Sequence, residues 1–161
     1  MMRMPLALAQ QQNGLGFSPT PPPPVFQNQT DAAMNAAAGI SGAVQSTGWE
    51  WGAALYKNSD GMVGITPLRT DHDPGSVGVS DYYTGKDIPA GATRIGDVHG
   101  HTGINSPDKG MHMSPGDLGN AGTMLNVHGT QTTYMVNPAG QVWKFNPATD
   151  AKPVLLPGRI Q

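Results

Sequence analysis

Glycine and proline punctuate this chain so often that it must be built from short elements joined by tight turns. The 161 residues include 22 glycines and 15 prolines, about 23% of the chain. That approaches the roughly 25–30% at which low complexity becomes the default reading. The two residues are not spread evenly. Residues 1–29 carry the run Pro21 to Pro24, three consecutive glutamines (Gln10 to Gln12) and, apart from Arg3, no charge. This composition predicts a flexible Pro/Gln-rich tail or linker with a stretch of polyproline II. Residues 30–150 read as a single domain, and residues 151–161, with little pattern, as a C-terminal tail.

Within the domain the breakers fall between periodic segments. Thr30 or Asp31 can cap a helix, and Ala33, Ala36, Ala37, Ile40 and Val44 follow at helical spacing until Thr47-Gly48 ends it. Residues 49–57 and 62–66 read as a hairpin around Asn58-Ser59-Asp60-Gly61. Residues 67–74 form a loop, 76–83 a strand, 92–101 a firmer strand, and 105–113 another loop. Ser114-Pro115-Gly116-Asp117 has the cap, proline and acidic residue that open a helix, which is expected to run to about Ala121. Strands at 124–136 and 141–145, joined by Asn137-Pro138-Ala139-Gly140, close the domain. The fold class is α+β (α/β), a mixed sheet flanked by helices.

Charge excludes several partners. Charged residues make up 12% of the chain and the net charge is -2, so there is no basic surface for nucleic acid. No apolar run approaches the roughly 20 residues of a membrane helix, so a soluble protein is expected. The absence of cysteine rules out disulfides, thiolate nucleophiles and Cys-ligated zinc. The acidic residues are ten aspartates and a single glutamate, Glu50. A lone glutamate in a charge-poor chain either has a specific task or is an accident of composition.

The chemistry concentrates around the histidines. His99 and His101 sit two apart on an expected strand, so both rings leave the same face. Two imidazoles on one face begin a zinc site, which needs about one more protein ligand for catalysis. Asp97, on the same face, and Asp117, opening the next helix, both qualify by position. An isolated His-x-His also occurs as two surface histidines on an edge strand.

Four features in order carry further. Glu50 on an early strand, His99-Gly100-His101, and Ser114-x-x-Asp117 opening a helix resemble the pattern of the JAMM (MPN-type) zinc metallopeptidases. Asp31-Ala32-Ala33, Trp49-Glu50-Trp51-Gly52 and Asn137-Pro138-Ala139-Gly140 extend the similarity over residues 30–147. They look like the JAB-like domains of bacterial secreted and Rhs-type toxins. Three departures stand out: Gly100 where the family usually has Ser or Thr, Thr102 where it often has Pro, and a longer gap between His101 and Ser114.

The resemblance implies a curved mixed sheet of the cytidine-deaminase-like kind, with Zn2+ held by His99, His101 and Asp117. It makes Glu50 the general base and Ser114 a hydrogen-bond donor to the developing oxyanion. Asp97 would support the ligands from behind, and His112, in the longer loop, would face substrate or solvent. The implied activity is hydrolysis of a peptide or isopeptide bond in a protein or peptide substrate. The implied setting is a toxin or effector, secreted or delivered into a target cell and countered by an immunity protein. Two other readings compete. One is a catalytically inert JAMM-like binding module. The other is a metallophosphoesterase, from Gly96-Asp97-Val98-His99-Gly100, but that family's later motifs are missing. His72, in Asp71-His72-Asp73, reads as solvated, and His128 has no assignable partner.

Overall fold

The computed structural model describes residues 23–78, 87–103 and 107–160. Their chain order is β1 (Val25–Phe26), α1 (Gln29–Thr47), β2 (Trp51–Lys57), β3 (Val63–Ile65), β4 (Arg69–Thr70) and β5 (Thr93–Gly100). The helical turn α2 (Pro107–Gly110), α3 (Pro115–His128), β6 (Thr132–Val136), β7 (Val142–Phe145) and β8 (Val154–Leu155) follow. Among the described residues the eight strands form one open mixed sheet in the order β1-β3-β2-β5-β6-β7-β8, with β4 also pairing β2. The α+β class expected from sequence is what the chain adopts. No helix among the described residues is long and apolar enough to cross a membrane.

The long helix lies on one face of this sheet. Ala32, Ala33, Ala36, Ala37 and Ile40 are buried along one side of α1, and they pack on Ala53, Leu55, Val98 and Val136. Alanine side chains let the helix axis approach the strands closely. The approach is tightest at Gly100, where an added Cβ would lie 2.7 Å from Ile40 Cγ2 and 2.9 Å from Val44 Cγ2. Glycine at position 100 therefore has a steric reason: a side chain there would push into α1. Gly100 faces α1, so alternation sends His99 and His101 to the other face.

The other face carries α3, which crosses from β5 to its parallel neighbour β6. A parallel pair needs such a crossover. Here the sequence expectation is corrected twice. The helix opened by Ser114 does not stop near Ala121, and the strand does not begin at 124. Gly119 and Gly122 weaken the helical signal by about 1 kcal/mol each. Both sit where an added Cβ would meet open space, while Ala121 and Met124 are buried. Packing on the sheet and the need for a crossover outweigh propensity, and the helix continues to His128 before Gly129 caps it in the left-handed conformation at φ 77°.

Boundaries shift as well. Val25–Phe26 pairs with β3, Phe26 packs against the core, and the N-cap of α1 is Asn28 rather than Thr30 or Asp31. At the other end β8 pairs with β7, and Leu156 and Ile160 pack against the core, so residues 154–160 belong to the domain and not to a tail. Their sparse periodicity hid a two-residue strand. The expected loop at 67–74 contains β4. Residues 76–78 are irregular, and the rest of the strand expected at 76–83 lies outside the described residues.

One irregularity shapes the interior beneath the histidines. Leu55 pairs with Gly96 but Tyr56 pairs with Arg94, which leaves Ile95 as an extra residue in β5. In an even ladder, residues three apart face opposite sides. The bulge turns Arg94 onto the face of Asp97, and the two form a buried ion pair of 2.8 Å. Asp97 also accepts from Gln131 Nε2 at 2.8 Å and from Thr133 Oγ1 at 2.5 Å.

Candidate metal centre

Three chain segments meet at the C-terminal end of β5. Gly52 pairs directly with His99 across the β2–β5 ladder. Alternation along each strand then puts Glu50, two residues before Gly52, on the face of His99 and His101. Asp117 reaches the same point from the first turn of α3. Its position is set by a capping box: Ser114 Oγ accepts from the Asp117 N–H at 3.0 Å, and Asp117 Oδ2 accepts from the Ser114 N–H at 2.8 Å.

The donor atoms are closely spaced. His99 Nε2 lies 3.1 Å from His101 Nε2. Asp117 Oδ1 lies 3.2 Å from His99 Nε2, and Asp117 Oδ2 lies 3.1 Å from His101 Nε2. Zinc bonds of about 2.0–2.1 Å in a tetrahedron place neighbouring ligand atoms roughly 3.3–3.4 Å apart. The spacing of the two imidazole nitrogens is within a few tenths of an ångström of that value, and each of them meets a different oxygen of the Asp117 carboxylate. Glu50 offers a carboxylate oxygen within 4.8 Å of both imidazole nitrogens. Glu50, His99 and His101 thus form a buried group that could hold a metal ion, and Asp117 touches both rings.

The electrostatics are those of a cation site. Burial alone would push the His99 imidazole down, but the Asp117 carboxylate, aided by Glu50 and Asp97, overrides it and holds the pKa up at about 9. Burial would raise Asp117, yet the charge of His99 and hydrogen bonds from both rings and the Ser114 N–H keep it well below the carboxylate range. Glu50 is pushed up by burial. His99 and His101 pull it back, while Asp117 and Asp73 add to the rise. A proton held between imidazoles and carboxylates is one that a divalent cation can displace.

The remaining sequence candidates stand elsewhere. Asp97 shares the face of His99, but its oxygens are taken up by Arg94, Gln131 and Thr133. His112 is exposed, its ring edge-on to Trp143 at 5.8 Å. His72, at φ 60°, is edge-on to Trp49 at 4.4 Å. His128 ends α3, its pKa lowered by partial burial and by Arg94.

Several residues that hold the centre were not legible beforehand. The Glu50 backbone N–H donates to the Asp73 carbonyl at 2.8 Å, and its carbonyl accepts from Thr70 Oγ1 at 2.7 Å. Thr102 Oγ1 donates to the Pro74 carbonyl at 2.5 Å. The loop after β4 is thereby tied to both strands that carry the cluster. Beside His101 and Thr102 a cavity of about 240 Å³ opens between Ser41 and Val44 of α1 and Pro138. No protein-family model matches the chain, and no curated protein matches it.

Proposed function

We propose that the chain is a zinc-dependent hydrolase of the JAMM type that cleaves a peptide or isopeptide bond. The observation that carries this reading is the contact of two imidazole nitrogens and one carboxylate at 3.1–3.2 Å, with a second buried carboxylate alongside. His99, His101 and Asp117 would hold the ion. A bound zinc supplies Lewis acidity and brings the pKa of a water toward about 7. Glu50, whose pKa burial already raises, accepts a proton during attack and returns it to the leaving amine. The Ser114 oxygen accepts within the cap, and its hydroxyl hydrogen remains to be given to the developing oxyanion.

Two histidines and one carboxylate also suit ferrous iron. The carboxylate of Glu50 beside these ligands favours proton transfer and hence hydrolysis. It also favours catalysis over a purely binding role, which would have no use for a buried base. Delivery into a target cell, with an immunity protein as partner, is a proposal supported by the family resemblance. The test is to produce the chain and its Glu50→Gln variant in susceptible cells and compare new protein N-termini and lost isopeptide linkages. Cleavage sites present with the parent and absent with Glu50→Gln are expected. Identical profiles from the two, with no zinc in the purified parent, would overturn the reading.

A further inference from the structure

His101 is held at three points. Its Nε2 joins the cluster, its main-chain N–H donates to the Val136 carbonyl at 3.0 Å, and its Nδ1 lies 3.2 Å from the Gly110 carbonyl. A carbonyl can only accept, so Nδ1 carries a ring hydrogen, and when the ring is neutral Nε2 is left with its lone pair toward the cluster. The Gly110 carbonyl therefore selects the tautomer that can bind a cation. That carbonyl is not part of the sheet. It lies at the end of the turn α2, where Gly110 packs so close to Gly103 that an added Cβ would come within 2.5 Å of Gly103 Cα.

The next residue ties this turn to the end of β6. The Met111 carbonyl accepts from Asn137 Nδ2 at 3.0 Å. Asn137 is 2% exposed, and its side chain has two separate tasks. Oδ1 accepts from the Ala139 and Gln141 N–H groups at 3.1 and 3.0 Å and shapes the β6–β7 turn. Nδ2 points the other way, to Met111 and to Gln141 Oε1 at 2.9 Å. Two main-chain N–H groups on one side and two acceptors on the other allow only this orientation of the amide. Asn137 also directly follows Val136, whose carbonyl holds the His101 main chain. One side chain thus joins the strand end that grips the His101 backbone to the turn that grips its ring.

We propose that Asn137 is a positioning residue for His101, acting through Met111 to hold the Gly110 carbonyl against the ring. The inference rests on the metal-centre reading above. It gives the Asn137-Pro138-Ala139-Gly140 turn a task at the centre beyond closing a hairpin. Groups that orient a ligating histidine typically govern about 10–100-fold in metal affinity.

Asn137→Ser tests it in the full chain. Serine keeps an oxygen for the turn and loses the Nδ2 donor. Gln141→Ala is the control: it removes the other acceptor of Nδ2 and leaves the Met111 link. Zinc affinity is measured by competition with a chromophoric chelator, the His101 ring N–H by proton–nitrogen NMR of the zinc-loaded protein, and the fold by circular dichroism. Asn137→Ser should bind zinc about 10–100-fold more weakly and lose or shift the ring N–H signal. Gln141→Ala should do neither, whatever its melting temperature. Gly110→Ala, which forces the same turn to move from its other end, should reproduce the Asn137→Ser result even where Asn137→Ser folds poorly. Unchanged affinity and ring signal in Asn137→Ser or in Gly110→Ala, or an equal loss in Gln141→Ala, would overturn the positioning role alone. A parent that takes up no zinc would overturn the metal centre and this inference together.

Discussion

Replacing Glu50 by glutamine separates a general base from a metal ligand. The substitution keeps the size of a side chain that is 7% exposed and removes only its charge and proton-accepting capacity. The two rings already touch the Asp117 carboxylate at 3.1–3.2 Å, and Glu50 stands beside them with an oxygen within 4.8 Å of both. The ligand set should therefore survive, with zinc near one per chain by elemental analysis and an unchanged circular dichroism spectrum. Lost acid–base catalysis is worth about 10²–10⁴-fold, or roughly 2.7–5.4 kcal/mol of barrier. Burial holds the Glu50 pKa up, so the parent rate should rise with pH as the carboxyl ionises, and the Gln variant should lack that rise. The assay is kcat/KM against pH on a cleaved target, with Asp117→Asn in parallel. Zinc lost from Glu50→Gln but kept by Asp117→Asn would reverse the ligand assignment. Unchanged activity would make the lone glutamate an accident of composition.

Zinc must displace the proton that His99 holds with a pKa of about 9, so apparent affinity should rise about tenfold per pH unit up to that value; a flat profile by chelator competition would contradict the coupled cluster. The same shift acts on the zinc-free protein. Raised above its ordinary 6.5, His99 contributes stability that is full below about pH 6.5 and lost as pH rises through about 9, so melting temperature should fall over that window without zinc and much less with it. Gly100→Ser, which restores the residue the resembling family usually carries, should cost about 1–3 kcal/mol by overpacking against Ile40 and Val44, at about 2–4 °C per kcal/mol; an unchanged melting curve would refute the close approach of α1. A chain starting at residue 30 should melt at least about 2–4 °C below one starting at residue 23, because it loses the Asn28 cap, worth about 1 kcal/mol, along with β1; equal melting would leave β1 and the cap without a stabilising role.

Local rules made part of this protein readable in advance. The two-residue period of a strand puts His99 and His101 on one face whatever surrounds them. A serine, proline and aspartate in the first turn open a helix by satisfying its free N–H groups, so Ser114 and Asp117 form their capping box. Asn58 to Gly61 turns a hairpin because Gly61 accepts a φ of 88°, and the alanine stripe of α1 marks a face that must be covered. Each of these depends on residues only a few positions apart. The features that make the site depend on pairings between distant segments, which no local pattern encodes. The Ile95 bulge exists only in register with β2, and it alone brings Arg94 to Asp97. The length of α3 follows from the parallel pairing of β5 with β6, against the preference of Gly119 and Gly122. Asn137 reads as a turn residue until the fold sets Met111 across from it. The sequence determined which side chains are available and which way each points along its own element. The tertiary structure decided which of them meet, because burial and strand pairing are properties of the assembled sheet and not of any one stretch of chain.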